Sequence, residues 1–238
     1  MQSHIPYKRI LLKLSGESLL GQNSSGISGE STLRIANGIK DFVDHGIEVG
    51  VVIGGGNIFR GVEGTKLGIS RTPADHMGML ATIINAIALQ QALEQIGVEA
   101  IIMSAIPCQA IADPFNWKKA IYHLEHKRVL LFAGGTGSPY FTTDTAAALR
   151  ASEIQAEILL KATKVNGIYS KDPIKYPDAI RYETLTYADV LAQNLNVMDA
   201  TSVALCRSSN IPILVFNMWA TPHLSEVLVN KSLGTLVY

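Results

Sequence analysis

The chain has 238 residues, 47% of them hydrophobic and 17% charged, which is enough to bury one large core. Its twenty Lys and Arg balance its twenty Asp and Glu. A chain of zero net charge lacks the basic excess a general nucleic-acid surface needs, although a small anionic ligand requires only a local patch.

Cys108 and Cys206 are the two cysteines, far apart and without metal-ligand spacing. They read as buried, reduced thiols rather than a disulfide. The segment Met1-Gln-Ser-His-Ile-Pro6 has no apolar signal core, and no apolar run approaches bilayer-spanning length. A cytoplasmic protein with no membrane or nucleic-acid partner is therefore expected.

Taken in chain order, apolar β-rich runs alternate with helical patterns. Strands are expected over residues 9–14, 48–53, 99–103, 128–133, 157–161 and 211–216. A helix over 29–45 should end at Gly46, a natural C-terminal cap. A long helix over 75–96 is apolar on most sides and ends at Gly97, so it should be buried against a sheet or a second subunit. Helices over 117–126 and 142–154 follow. Thr221-Pro222 reads as an N-cap with proline in the first turn, opening a short helix. Residues 234–238 read as an edge strand. Alternating strands and helices imply a mostly parallel sheet with helices on both faces, in a single domain spanning 1–238. Such sheets bind ligands beyond the carboxyl ends of their strands.

Four segments lie where strands end. Leu11-Leu12-Lys13-Leu14-Ser15-Gly16-Glu17 places a lysine inside an apolar strand. That ammonium must emerge somewhere useful or lose its solvation, unless the strand is an edge and the side chain snorkels to water. In Val51-Val-Ile-Gly54-Gly55-Gly56-Asn57-Ile-Phe-Arg60-Gly61 a strand empties into three glycines, with an arginine four residues on. Glycines let backbone N–H groups approach an anion, and an arginine fork suits phosphate. The plainer reading is a glycine-rich strand-to-helix turn.

The third segment, Ala133-Gly134-Gly135-Thr136-Gly137-Ser138-Pro139-Tyr140-Phe141-Thr142-Thr143-Asp144, is dense in hydroxyls and runs into a helix whose free N–H groups favour an anion. Asp144 suits orienting a lysine or standing behind a metal-bound group; capping alone explains one or two of these residues. The fourth segment runs Leu160-Lys161-Ala-Thr163-Lys164-Val-Asn166-Gly167-Ile-Tyr169-Ser-Lys-Asp172-Pro173. It offers an aromatic ring to a base and Lys161 to its phosphates, or else it is an ordinary solvated loop. Neither a Gly-x4-Gly-Lys-[Ser/Thr] loop nor a Gly-x-Gly-x-x-Gly after the first strand occurs, which argues against P-loop and dinucleotide folds. The six histidines show no metal-ligand pattern.

Together these segments closely resemble the bacterial UMP kinases (uridylate kinases) of the amino acid kinase family, from about Lys8 to the C-terminus. Lys13-Leu-Ser-Gly16 and Gly54-Gly-Gly56 are shared widely in that family. Asn57-Ile-Phe-Arg60-Gly, Asp75-His-Met-Gly-Met-Leu-Ala-Thr82, Thr136 through Asp144, and Phe216-Asn-Met are more specific to its UMP kinases. The string 75–82 carries no chemistry by itself and takes its weight from the resemblance.

The resemblance implies an α/β fold, a three-layer αβα sandwich around a mostly parallel sheet, and transfer of the γ-phosphoryl group of Mg2+-bound ATP to UMP in pyrimidine nucleotide biosynthesis. It also implies a homohexamer. It matches Lys13, Leu14, Ser15, Gly16, Gly56, Arg60, Thr163, Asn166, Tyr169 and Asp172 to the ATP side. It matches Gly55, Asp75, Thr136, Gly137, Ser138, Pro139, Tyr140, Phe141, Thr142 and Thr143 to the UMP side. Lys13 and Arg60 would neutralise charge on the transferred group, with Lys161 and Asp144 as further catalytic candidates, and no protein metal ligand is assigned.

One departure stands out. GTP activation in that group uses the loop after the first strand and a basic position on the long helix. Here the loop is Gly21-Gln-Asn-Ser-Ser-Gly26 and the helix offers Gln90 and Glu94, so activation by GTP is not expected. Two other readings compete: a relative phosphorylating a small carboxylate or carbamate, and a nucleotide sensor that kept the fold and lost catalysis.

Overall fold

A computed structural model describes residues 5–60, 64, 67–193, 195, 197–221 and 223–238. Its frame is one continuous sheet. The strands are β1 (Arg9–Leu14), β2 (Glu48–Ile53), β3 (Ala100–Ser104), β4 (Asp113–Pro114), β5 (Val129–Ala133), β6 (Ile158–Thr163), β7 (Thr184–Leu185), β8 (Ile213–Asn217) and β9 (Gly234–Val237), in the order β4-β3-β5-β2-β1-β6-β8-β9-β7. All pairings are parallel except β8 with β9. Strands in such a sheet are covered on both faces, which is why β1, β2 and β5 are buried at every position and read as continuous apolar runs.

The helices are α1 (Gly29–Asp44), α2 (Arg71–Gln95), α3 (Trp117–Glu125), α4 (Thr143–Glu153), α5 (Tyr187–Ala192) and α6 (Ala200–Ser208). Alternation along each strand sends side chains to opposite faces and builds two cores. Ile10, Leu12, Val51 and Leu131 point to the layer holding α1 and α2. Leu11, Val52, Leu130 and Phe132 point to the layer holding α3, α4, α5 and α6. The result is the αβα sandwich expected from the sequence, with β1 and β2 at its centre.

Several local expectations need correction. The long helix begins at Arg71, four residues before Asp75, with Ser70 at its N-cap position. Asp75 therefore lies in the second turn and is not the cap. The 234–238 strand is no edge: β9 is flanked by β8 and by the two-residue β7. A short 3-10 helix does follow Thr221, at Leu224–Leu228, but its N-cap position is His223; Pro222 lies outside the described residues. Cys206 is buried, but Cys108 is only partly so. Both thiols are free. Burial, with Asp199 nearby, pushes the Cys206 thiol up to about 12, so it stays a neutral core side chain. β4, β7, α5, α6 and a 3-10 helix at Gly16–Leu19 were not expected.

Candidate active site

β1 and β6 are neighbours, and their register sets Lys13 directly beside Lys161. Paired residues on adjacent strands share a face, so both side chains leave the sheet together. α4 presents Asp144 in its first turn, after Thr142, whose hydroxyl caps the helix by accepting from the Asp144 and Thr145 amides. The Asp144 carboxylate lies between the two ammonium groups, 2.7 Å from Lys13 Nζ through Oδ1 and 2.9 Å from Lys161 Nζ through Oδ2. Lys13 is thus a central-strand lysine, not an edge lysine snorkelling to water.

Burial alone would raise the Asp144 carboxyl, but the charges of Lys13 and Lys161 outweigh it and hold the pKa below the usual carboxylate range. Burial pulls Lys161 down, against the opposing pull of Asp144 and with the repulsion of Lys13. Two cations thus flank one carboxylate at the N-terminus of α4, with Asp199 a further negative charge acting on Lys161.

The glycine turn closes one side. An added Cβ at Gly16 would come within 2.5 Å of Asn57 Oδ1 and 2.6 Å of Gly54 O; one at Gly55 would meet Gly78 O at 2.6 Å. These glycines are required by backbone-to-backbone packing, a use beyond the anion approach expected of them. At Gly56 an added Cβ would only touch the Arg60 side chain, at an ordinary contact distance of 3.6 Å, so packing does not require glycine there. Arg60 reaches back over the turn and pairs with Glu17, whose other oxygen is 3.4 Å from Lys164 Nζ.

Two cavities lie near the Lys13–Asp144–Lys161 cluster. One, of about 260 Å3, is lined by Gly55, Gly56, Asp75, Thr136, Phe141, Thr142 and Thr143 among the sequence candidates, and by Arg71. Asp75 accepts from Arg71 Nε at 2.8 Å and from the Tyr140 amide at 2.8 Å, so it anchors the loop that walls the cavity. Tyr140 holds a left-handed backbone, φ 73°, with Arg71 over its ring at 5.5 Å. Gly137, Ser138, Pro139 and Tyr140 shape this loop rather than line the cavity; Thr136 Oγ1 caps its turn by accepting from Ser138 N.

The other cavity, of about 420 Å3, is lined by Lys161, Thr163, Tyr169 and Asp172, with Gly167, Ile168, Leu195 and Val215 as its apolar walls. Asn166 stands at its rim, accepting from Asn217 Nδ2 at 3.0 Å. Leu14 is fully buried in the core, so only its backbone can meet a ligand, and Ser15 caps the 3-10 helix. Lys161 lines the second cavity and pairs with Asp144, and the lining of the first cavity ends at Thr142 and Thr143, immediately before that carboxylate in α4.

Four contributors escaped the sequence reading. Asp199 accepts from Thr142 Oγ1 at 2.5 Å and Thr145 Oγ1 at 2.9 Å, fixing the start of α4. The Val197 carbonyl accepts from Lys161 Nζ. Glu17 holds Arg60, and Arg71 holds Asp75. Arg71 lies four residues before the 75–82 string and could have been found there; Asp199 and Val197 sit in a stretch with no motif to mark them.

The chain matches the family model described as "Amino acid kinase family" over residues 8–217. The chain belongs to the amino acid kinase family. It is 56% identical over 232 residues to a uridylate kinase of Protochlamydia amoebophila, covering 97% of this chain and 92% of that protein. Among solved structures it superposes on the UMP kinase from Bacillus anthracis with a TM-score of 0.94 at 40% identity, covering 98% of this chain and 96% of that one. For the UMP kinase from Ureaplasma parvum the TM-score is 0.92 at 40% identity, with 97% and 98% covered. A uridylate kinase from Archaeoglobus fulgidus stands further off, with a TM-score of 0.75 at 28% identity, covering 96% and 99%.

Proposed function

We propose that this chain is a UMP kinase that moves the γ-phosphoryl group of ATP to UMP, giving UDP and ADP for pyrimidine nucleotide synthesis, and that it works as a single domain. The observation that carries the reading is the Lys13–Asp144–Lys161 cluster, with one nucleotide-sized cavity lined by Lys161 and another lined up to Thr143, next to Asp144, in a chain so similar to proteins named uridylate kinase and UMP kinase.

The chemistry follows from the geometry. The acceptor is a phosphate oxygen, and its second pKa of about 6 leaves it ionised at neutral pH. No general base is needed, and Asp144, tied to two lysines, is built to orient rather than to take a proton. Catalysis then rests on positioning and on cancelling charge as the phosphoryl group passes between oxygens. Lys13 and Lys161 approach that group from the sheet, the Gly55 and Gly56 amides from the turn. Arg60 joins them by exchanging Glu17 for phosphate. Tyr169 and Asp172 hold the adenosine, with Thr163 and Asn166. Asp75 and the loop 136–143 hold UMP.

Mg2+ entering with ATP would supply charge neutralisation at the phosphates. The residues present fit such a role: Asp144, whose buried Oδ1 has no hydrogen bond of normal geometry beside its ion pair with Lys13, is the carboxylate that would stand behind the ion. Among the described residues no group of three or more His, Cys, Asp and Glu could cage the ion alone.

The test is ADP release with UMP, CMP, glutamate and carbamate in parallel, each with and without Mg2+. Turnover is expected with UMP and Mg2+, and its loss on chelation. Binding of both nucleotides without turnover under any metal would favour the sensor reading.

We also propose a homohexamer with a contact through α2. One face of α2 is buried against the core through Ala74, Ile83, Ala86, Leu89 and Leu93, yet Met77, Leu80 and Ile84 stand exposed at helical spacing on another. Light scattering should show the assembly at micromolar concentration; a stable monomer would contradict it. No helix among the described residues is long and apolar enough to cross a membrane, in keeping with a cytoplasmic site of action.

Millimolar GTP should activate weakly or not at all. Gln90 is spent on the Ala100 carbonyl at 2.7 Å and Glu94 is acidic, so α2 offers no cation there. A several-fold rise at subsaturating ATP would overturn that.

A further inference from the structure

The glycine turn is held from behind by two buried amides. Asn57 follows the turn and is 4% exposed; Asn85 lies on α2 and is 0% exposed. Asn57 Nδ2 donates to Asn85 Oδ1 at 2.9 Å, and Asn85 Nδ2 donates back to Asn57 Oδ1 at 2.7 Å. Each nitrogen has one further N–H. That of Asn57 goes to Gly26 O at 2.9 Å, and that of Asn85 to Gly54 O at 2.7 Å. All four donors are used, and only this orientation of the two amides puts a donor on both carbonyls.

A buried polar pair on a packed helix is costly unless fully bonded, and an apolar pair would fill the space without that demand. What an apolar pair would not do is grip the Gly54 carbonyl. In a trans peptide the C=O and the next N–H point opposite ways. With Gly54 O drawn to Asn85, the Gly55 N–H is turned away from the Asn85 amide. Among the described residues neither the Gly55 nor the Gly56 amide has a hydrogen-bond acceptor, and both residues line the cavity that reaches Thr142 and Thr143.

We propose that Asn85, through its reciprocal amide pair with Asn57, is a positioning residue that aims the amide donors of the glycine turn at the phosphoryl group in transit. Asn57 carries the same brace to the loop after β1, because the Gly26 amide also donates to Asn57 O at 3.0 Å. The inference rests on the phosphoryl-transfer reading above.

The test compares the unmodified protein with Asn85→Ala and Asn85→Asp, with folding checked by circular dichroism and thermal melting. In Asn85→Ala, kcat should fall on the order of 10- to 100-fold, the scale of a misaimed donor, while the KM values for ATP and UMP rise only a few-fold. Asn85→Asp keeps the size but cannot donate when ionised. Its kcat relative to the unmodified protein should recover as pH falls from about 8 to about 5.5, where buried carboxyls regain a proton and with it one donor. Restored donation to Gly54 O is a signature that lost packing does not produce.

A folded Asn85→Ala with kcat within about two-fold of the unmodified protein, well below the cost of a lost donor, would overturn the proposal. So would a flat relative profile for Asn85→Asp, which decides the matter should the alanine variant not fold. If the unmodified protein shows no turnover of UMP, the phosphoryl-transfer reading fails instead. Calorimetric dissociation constants for ATP and UMP then decide this one: both rise several-fold in the variants if Asn85 aims the amides, and stay unchanged if it does not.

Discussion

Replacing Lys13 by alanine should lower kcat on the order of 100- to 1,000-fold while moving either KM far less, the loss typical of one preorganised group facing transition-state charge. Lys13 rises from the centre of the sheet, is nearly buried, and keeps its ammonium 2.7 Å from Asp144 Oδ1. A charge held this rigidly needs no reorganisation when the phosphoryl group leaves one oxygen for another. Its removal has a second consequence. Asp144 keeps only Lys161 as its ion-pair partner, so Lys161 does not simply take over. Steady-state rates on the folded variant check this, with both substrates varied. A near-normal kcat would make Lys161 the catalytic lysine.

Arg60 should respond differently, because it is half exposed and already paired with Glu17. An exposed pair contributes little to stability. Freeing Arg60 for phosphate is therefore cheap, and its loss should appear in ATP affinity as well as in rate.

Much of this site is legible in the sequence because strands in a parallel sheet are short apolar runs that end where ligands bind. Lys13, the glycine turn and Lys161 all follow such runs, and their register is a consequence of sheet order. What cannot be read is whatever depends on partners distant in sequence. Asn57 is visible in its motif, but Asn85 sits unmarked among the apolar residues of α2, and only the fold shows the pair. The string 75–82 has no chemistry on paper because its members act on three different neighbours. Asp75 holds the Tyr140 amide. The Gly78 carbonyl packs against Gly55, where a Cβ on Gly55 would not fit. Thr82 Oγ1 accepts from the Gly134 amide at 2.7 Å. The short elements β4, β7 and α5 were missed for a related reason: strands of two residues and a helix of six carry too few periods to form a pattern, while α6, as long as α3, is built largely of small and polar residues that mark no apolar stripe.

Asp75→Ala should weaken UMP sharply, leave the KM for ATP nearly unchanged, and erase most of the preference for UMP over dUMP. The fold removes the simplest alternative, since Asp75 is in the second turn of α2 and caps nothing. It introduces another. The carboxylate already accepts from Arg71 Nε at 2.8 Å and from the Tyr140 amide at 2.8 Å, so its loss would also loosen the loop 136–143. Loop loosening weakens UMP and dUMP alike. A ribose contact does not, because the deoxy analogue leaves a desolvated lone pair of Asp75 unmatched. Such a mismatch costs about 1–3 kcal/mol. At about 1.4 kcal/mol per decade this is roughly 5- to 150-fold in kcat/KM for the unmodified protein. Asp75→Asn separates the two effects further, since its amide oxygen still accepts from Tyr140 N while the charge facing Arg71 is lost. The asparagine variant should keep the loop and retain part of the ribose preference; the alanine variant should keep neither. The measurement is kcat/KM for UMP and dUMP with all three proteins, and an unchanged UMP/dUMP ratio in Asp75→Ala would leave Asp75 as the anchor of the Tyr140 loop alone.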